Sequence, residues 1–172
     1  MKNNKGFTLI ELMIAIAIIG ILALVLIPRV AGMKDQAKVA GIDSNLRVAA
    51  GIIEGIITDY DTTKVQDLED AIVTRLDDHD PVQEKDIKNP ITQLSGVVEY
   101  EAGVTPSNGN ATFACNTTDA TNAMAANPAN NGNMKGVIWF TAYSSGSDVL
   151  VKLVPYDENG NAMTGKIKTL QR

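Results

Sequence analysis

At 172 residues the chain has room for one modest domain plus an extension, and two full domains are not expected. Fifteen basic and 20 acidic residues give a formal net charge of −5, which repels phosphate backbones and argues against general nucleic-acid binding. A single cysteine, Cys115, and a single histidine, His79, exclude an intrachain disulfide and a metal site of the Cys/His type.

The first six residues, MKNNKG, are polar and positive through Lys2 and Lys5. Phe7 to Ile27 then runs for 21 residues with one charge, Glu11. A helix rising about 1.5 Å per residue spans a hydrocarbon core of about 30 Å over such a length. The flanking lysines keep its amino-terminal side in the cytoplasm. A secretory signal peptide has an apolar region of only about 7–15 residues, followed by a small-residue cleavage site. This run is longer and ends in Leu-Ile-Pro-Arg. A carboxylate inside a bilayer costs at least about 2.5–3.5 kcal/mol, so an acidic residue there is a functional candidate by default. The bland alternative for Glu11 is a side chain that snorkels to the headgroups.

The string Gly6-Phe7-Thr8-Leu9-Ile10-Glu11-Leu12 resembles the class III signal of type IV prepilins and pseudopilins. The resemblance runs to Pro28, which matches that family's helix proline. It implies that a prepilin peptidase cuts after Gly6 and methylates the new amino terminus on Phe7. It further implies that Glu11 pairs with the Phe7 amine of an adjacent subunit, removing an uncompensated charge and setting the stagger between helices. Cleavage would also discard Lys2 and Lys5. Gly20 and Pro28 are two low-propensity positions in this helix, and Pro28 cannot donate to the carbonyl of Leu24. The resemblance implies a flexible segment between them, one that can extend inside a filament; the simpler reading is a kink.

Beyond the apolar run, Val39, Ile42, Leu46, Ala49, Ile53, Ile56 and Tyr60 alternate at spacings of three and four. That periodicity predicts one apolar helical face laid against a sheet. Gly51 and Gly55 form a GxxxG step, read as close packing against the globular part. Thr63 and Gln66 have capping-box spacing ahead of a short helix carrying Val65, Leu68, Ile72 and Leu76. Asp77, Asp78, Asp80 and Pro81 end that helix as a solvated acidic terminus, because the run lacks calcium-loop spacing and a turn glycine.

Four strands are expected: Val97–Glu101, Val137–Tyr143, Val149–Tyr156 and Ala162–Leu170. Gly- and Asn-containing turns join the last three into an antiparallel meander. Ser107–Asn133 has the composition of a long exposed loop, with glycosylation sequons at Asn110 and Asn116. Trp139 is assigned to the helix–sheet core or its edge.

The expected fold class is α+β, similar to the pilin fold: a long N-terminal helix, membrane-spanning in its first half, packed on a C-terminal antiparallel sheet. Residues 1–6 form the leader, 7–28 the transmembrane and filament-core helix, 29–60 the amphipathic helix and 61–172 the globular domain. Many pilins close their C-terminal region with a disulfide; this chain departs from that pattern and leaves hairpin hydrogen bonds to hold it. The resemblance implies a structural subunit of a type IV pilus for adhesion, motility or biofilm growth. The alternative is a pseudopilin of a type II secretion or DNA-uptake system. The implied partners are further copies of the subunit, the prepilin peptidase and N-methyltransferase, and an inner-membrane assembly platform with its ATPase motor. The precursor would cross the cytoplasmic membrane once and the product would lie in an extracellular filament. No cofactor, metal or catalytic residue is implied, since one Cys and one His build no nucleophile–base pair.

Overall fold

A computed structural model describes residues 6–76, 87–100, 112–116 and 132–172. Helix α1 runs from Leu9 to Ile56, followed by a 3-10 turn at Ile57–Asp59 and by helix α2, Val65–Leu76. The backbone of α1 stays helical through Gly20 and Pro28. The chain divides into two compact units, Met1–Ala37 and Lys38–Arg172.

In the first unit, Leu9–Leu26 has a mean hydropathy of 3.0 and none of it is buried. Phe7, Leu24 and Ile21 are 87%, 77% and 66% exposed. Eighteen residues, apolar but for Glu11 and Gly20, with no core of their own suit a hydrocarbon surrounding and not water.

In the second unit the expected face begins one turn later than its periodicity, since Val39 is exposed and Tyr60 is half-buried, while Ile42, Leu46, Ala49, Ile53 and Ile56 are all buried. They face a five-stranded sheet of order β1-β2-β3-β4-β5: Val97–Tyr100, Phe113–Asn116, Ile138–Ser145, Asp148–Pro155 and Lys168–Gln171. The antiparallel half, β3-β4-β5, is the expected meander, and Gly146 (φ +64) supplies the two-residue β3–β4 turn. Two findings correct the sequence reading. Phe113–Asn116 is a strand within the segment assigned to loop, and β1 and β2 pair parallel to each other and to β3, so the sheet is mixed. Phe113, fully buried, anchors that strand. The last strand is also shorter than expected. Ala162 forms an isolated bridge with Tyr156, Thr164–Lys166 is a 3-10 turn, and the ladder resumes at Lys168.

The sheet buries both faces. Ile138, Phe140, Ala142, Val149, Val151 and Leu153 pack with α1 and α2, completed by Leu68, Ile72 and Leu76. A second cluster holds Trp139, Met134, Val137, Val154 and Tyr156, with Ala162 and Ile167 against it. Trp139 thus belongs to this cluster, not to the helix–sheet core. Burial pushes the Tyr156 hydroxyl up to about 12.

Other local expectations also change. Gly51 and Gly55 are exposed, with open space where a Cβ would stand, so they do not pack on the globular part. They line an open groove of about 420 Å³ with Ile52, Ile56, Asp59 and Arg75. The Thr63–Gln66 box does not form. Asp61 instead accepts both the Thr63 N–H and its hydroxyl, which holds the Asp61 carboxyl below the ordinary range. The acidic run at residues 77–81 and the sequon residue Asn110 lie outside the described residues. Thr112, which completes that sequon, is buried, and its hydroxyl donates to the carbonyls of Ile87 (2.6 Å) and Leu94 (3.0 Å). Asn116 ends the interior strand β2, not an exposed loop.

The C-terminal region is held by more than hairpin bonds. Lys166 makes a two-oxygen pair with Asp43 at 2.6 and 2.7 Å, and Lys38 pairs with Glu158 at 3.1 Å. Arg172 donates from its guanidinium to the Tyr60 carbonyl and from its N–H to Val149 (3.0 Å).

Residues 87–96 form the joint between these elements. Asn89 is fully buried; its Nδ2 donates to the Lys135 carbonyl (2.8 Å), and its Oδ1 accepts from Ile91 (2.9 Å) and Thr92 (3.2 Å). Gly136 beside it has φ +69, and a Cβ there would stand 2.4 Å from Asn89 Oδ1. Asn89→Ala strands a buried acceptor and two donors and should cost about 2–3 kcal/mol. Denaturant titration of the detergent-solubilised chain, followed by Trp139 fluorescence, measures it. An unchanged midpoint would show that this joint carries no stability.

Candidate processing and assembly site

Helix α1 begins where the apolar run meets Thr8 and Glu11. The Thr8 N–H donates to Glu11 Oε2 at 2.8 Å and the Thr8 hydroxyl to the same oxygen at 2.7 Å. In return the Glu11 N–H donates to Thr8 Oγ1 at 3.3 Å, and the Leu12 N–H reaches the Thr8 carbonyl at 3.3 Å. This is a capping box: Thr8 is the N-cap, Glu11 the third helical residue, and the free N–H groups of the first turn are satisfied reciprocally. A carboxylate at a helix amino terminus also faces the favourable end of the macrodipole.

The capping partner is a feature the sequence reading missed, although Thr-x-x-Glu ahead of an apolar run is its signature. Reading Glu11 only as a stranded charge hid its local role. The box does not exhaust the carboxylate, because both bonds fall on Oε2 and leave Oε1 to accept from elsewhere. The group is therefore fixed in place and still has capacity for a cation.

Gly6 and Phe7 precede the helix, outside any regular element and fully open. Nothing lies within 4 Å of a Cβ built on Gly6. A peptidase can therefore reach the 6–7 bond without unwinding α1. Gly20 is likewise open, within the continuous helix. The structure thus brings Thr8 and Glu11 together beside the Gly6–Phe7 bond, while Gly20 and Pro28 lie further along α1 and are not part of that cluster. Among the described residues no group of three or more His, Cys, Asp or Glu side chains could hold a metal ion.

Residues 1–27 match the prokaryotic N-terminal methylation motif. The chain is 62% identical over 38 residues to the major component of the type IV wide pilus of Thermus thermophilus, covering 22% of this chain and 29% of that protein. It is 50% identical over 45 residues to the type IV major pilin protein of Myxococcus xanthus, covering 26% and 20%. It is 39% identical over 53 residues to the type II secretion system core protein G of Pseudomonas aeruginosa, covering 31% and 37%. The matched stretches therefore span well under half the length of each relative. No solved structure matches the chain.

Proposed function

We propose that this chain is the precursor of a structural subunit of a type IV pilus. It is cleaved after Gly6, methylated on Phe7 and polymerised into surface filaments. The observation that carries this reading is the junction of two opposite environments in one helix. An amino-terminal methylation motif heads an apolar span with nothing buried, and the second half of α1 is core to a folded unit. A span of that kind is stable in a bilayer and again in a bundle of identical spans, which is what a polymerising membrane precursor requires. In this reading residues 1–6 are the leader, 7–28 the membrane and filament-core helix, 29–60 the amphipathic helix and 61–172 the globular domain. Glu11 is the assembly residue, offering Oε1 to the Phe7 amine of the next subunit. Gly20 and Pro28 form the extensible segment. The prepilin peptidase and N-methyltransferase and an ATPase-driven platform in the cytoplasmic membrane are its partners, and no catalysis is assigned.

A pseudopilin of a secretion or DNA-uptake machine is the second reading, favoured by the 53-residue match to a secretion core protein. Electron microscopy of sheared cell surfaces, with mass spectrometry of the recovered subunits, separates the two. Long surface fibres built of the chain beginning at methylated Phe7 support the pilus. Processed chain confined to the membrane supports the pseudopilin. Unprocessed chain alone overturns both.

A further inference from the structure

The negative charge of the chain is unevenly placed. At one end of the Lys38–Arg172 unit, the last turns of α1, the 3-10 turn and loop after it, helix α2 and the β3–β4 turn carry Glu54, Asp59, Asp61, Asp67, Asp70 and Asp148 against Lys64, Arg75 and Arg172. At the other end, three segments converge on α1 between residues 38 and 47. Asn45 Nδ2 holds the Lys88 carbonyl at 2.9 Å, and Asn89 joins that loop to the Lys135 carbonyl at 2.8 Å. The β4–β5 connection is tied down by the Lys38–Glu158 and Lys166–Asp43 pairs. Lys38, Arg47, Lys88, Lys135, Lys166 and Lys168 are thereby gathered at this end.

Two of the six cations are neutralised by their ion pairs. Arg47, Lys88, Lys135 and Lys168 have no acidic partner among the described residues. Asp157 is the nearby counter-charge. Burial raises its carboxyl, but the N–H groups of Asn161 and Asn159, the Asn161 side chain and the Gly160 N–H outweigh this and hold it below the ordinary range. It remains anionic and satisfied within its own loop. Among the described residues this end therefore stays positive, on a chain of net charge −5.

We propose that this basic end docks on the anionic phospholipid headgroups of the bilayer that anchors the chain. The proposal rests on the membrane-held precursor reading above. Only residues 27–37 separate the apolar span from Lys38, so the tether keeps the cations at high effective concentration near that surface. A free polyanion such as DNA has no such tether and meets the chain's net negative field. Docking would hold the globular unit on the membrane before assembly, and extraction into a filament would release it.

The test uses the full-length chain in nanodiscs of phosphatidylcholine alone and of phosphatidylcholine mixed with phosphatidylglycerol. Hydrogen exchange at residues 87–94, 134–137 and 157–168 is followed by mass spectrometry. Exchange there should slow several-fold in the anionic disc only, with β3 unchanged, and the protection should vanish near 1 M salt, where screening acts within about 3 Å. Each cation removed should lower the docked-to-free ratio about fivefold, so Lys88→Gln with Lys135→Gln should lower it about twenty-five-fold. Both side chains are exposed, and an unchanged far-UV circular dichroism spectrum confirms folding. Equal exchange in the two discs, or full protection in the double variant, overturns the proposal. Protection by duplex DNA without protection by phosphatidylglycerol overturns it too and makes this end a nucleic-acid site. A chain that enters neither disc refutes the membrane-held reading itself, a result distinct from an inserted chain with no lipid dependence.

Discussion

On the pilus-subunit reading, cells carrying Gly6→Val should accumulate the chain in the membrane at full precursor length and form no filament. The 6–7 bond lies in an open, non-helical approach to α1, and position 6 presents no side chain to an enzyme closing on it. Valine places two methyl groups on Cβ there and restricts the backbone the peptidase must grip. Folding of the Lys38–Arg172 unit is untouched, since the substitution lies outside it. Immunoblotting of membrane and sheared fractions, with amino-terminal mass spectrometry, reads the result. Mature subunits at wild-type level would remove Gly6 from the processing site.

Glu11→Ala should give the complementary phenotype: processed, methylated subunits that remain in the membrane. The Gly6–Phe7 bond is unchanged, and the span becomes more apolar, so insertion continues. What disappears is the only acidic group in the span, and with it the acceptor for a neighbouring Phe7 amine. An amine left unmatched in an apolar surrounding is unfavourable at every subunit added, so filament yield should fall by more than about tenfold. The same change also breaks the cap, so a second variant separates the two effects. Thr8→Val removes the hydroxyl that anchors Oε2 but leaves the carboxylate. Its filament yield should fall less than that of Glu11→Ala. Equal losses would mean that the helix cap, not the charge, is what assembly requires, and wild-type yield from Glu11→Ala would reduce it to a snorkelling residue.

Legibility in the sequence followed the strength of the periodic signal. Ile42, Leu46, Ala49, Ile53 and Ile56 repeat over four turns, and a pattern that long has one helical interpretation, which their burial matches. β3 and β4 stand out because two segments rich in β-branched and aromatic residues flank a glycine turn, so the pairing is local. β2 had none of these marks. Phe-Ala-Cys-Asn is only four residues long, sits among Asn, Thr and Ala, and pairs parallel with partners remote in sequence. No turn chemistry announces a parallel neighbour. At the candidate site, Gly6, Phe7 and Glu11 were legible as a motif in register. The Thr8 cap carries an equally plain Thr-x-x-Glu signature, masked by the cost of a charge in a membrane, which by itself already accounts for Glu11.

The position of β2 bears on the order in which the sheet is built. β3 and β4 are joined by a two-residue turn, and hairpins of that kind close in about 1–10 μs. β2 must instead find a place between two parallel neighbours, and such non-local closure is slow because loop entropy is lost before contacts compensate it. The expected order is therefore the β3–β4 hairpin first and the insertion of Phe113 late, an order that pulsed hydrogen exchange would read. Until β2 is in place, the edge of β3 would lie open to strands of other chains, which makes that interval the one most exposed to aggregation.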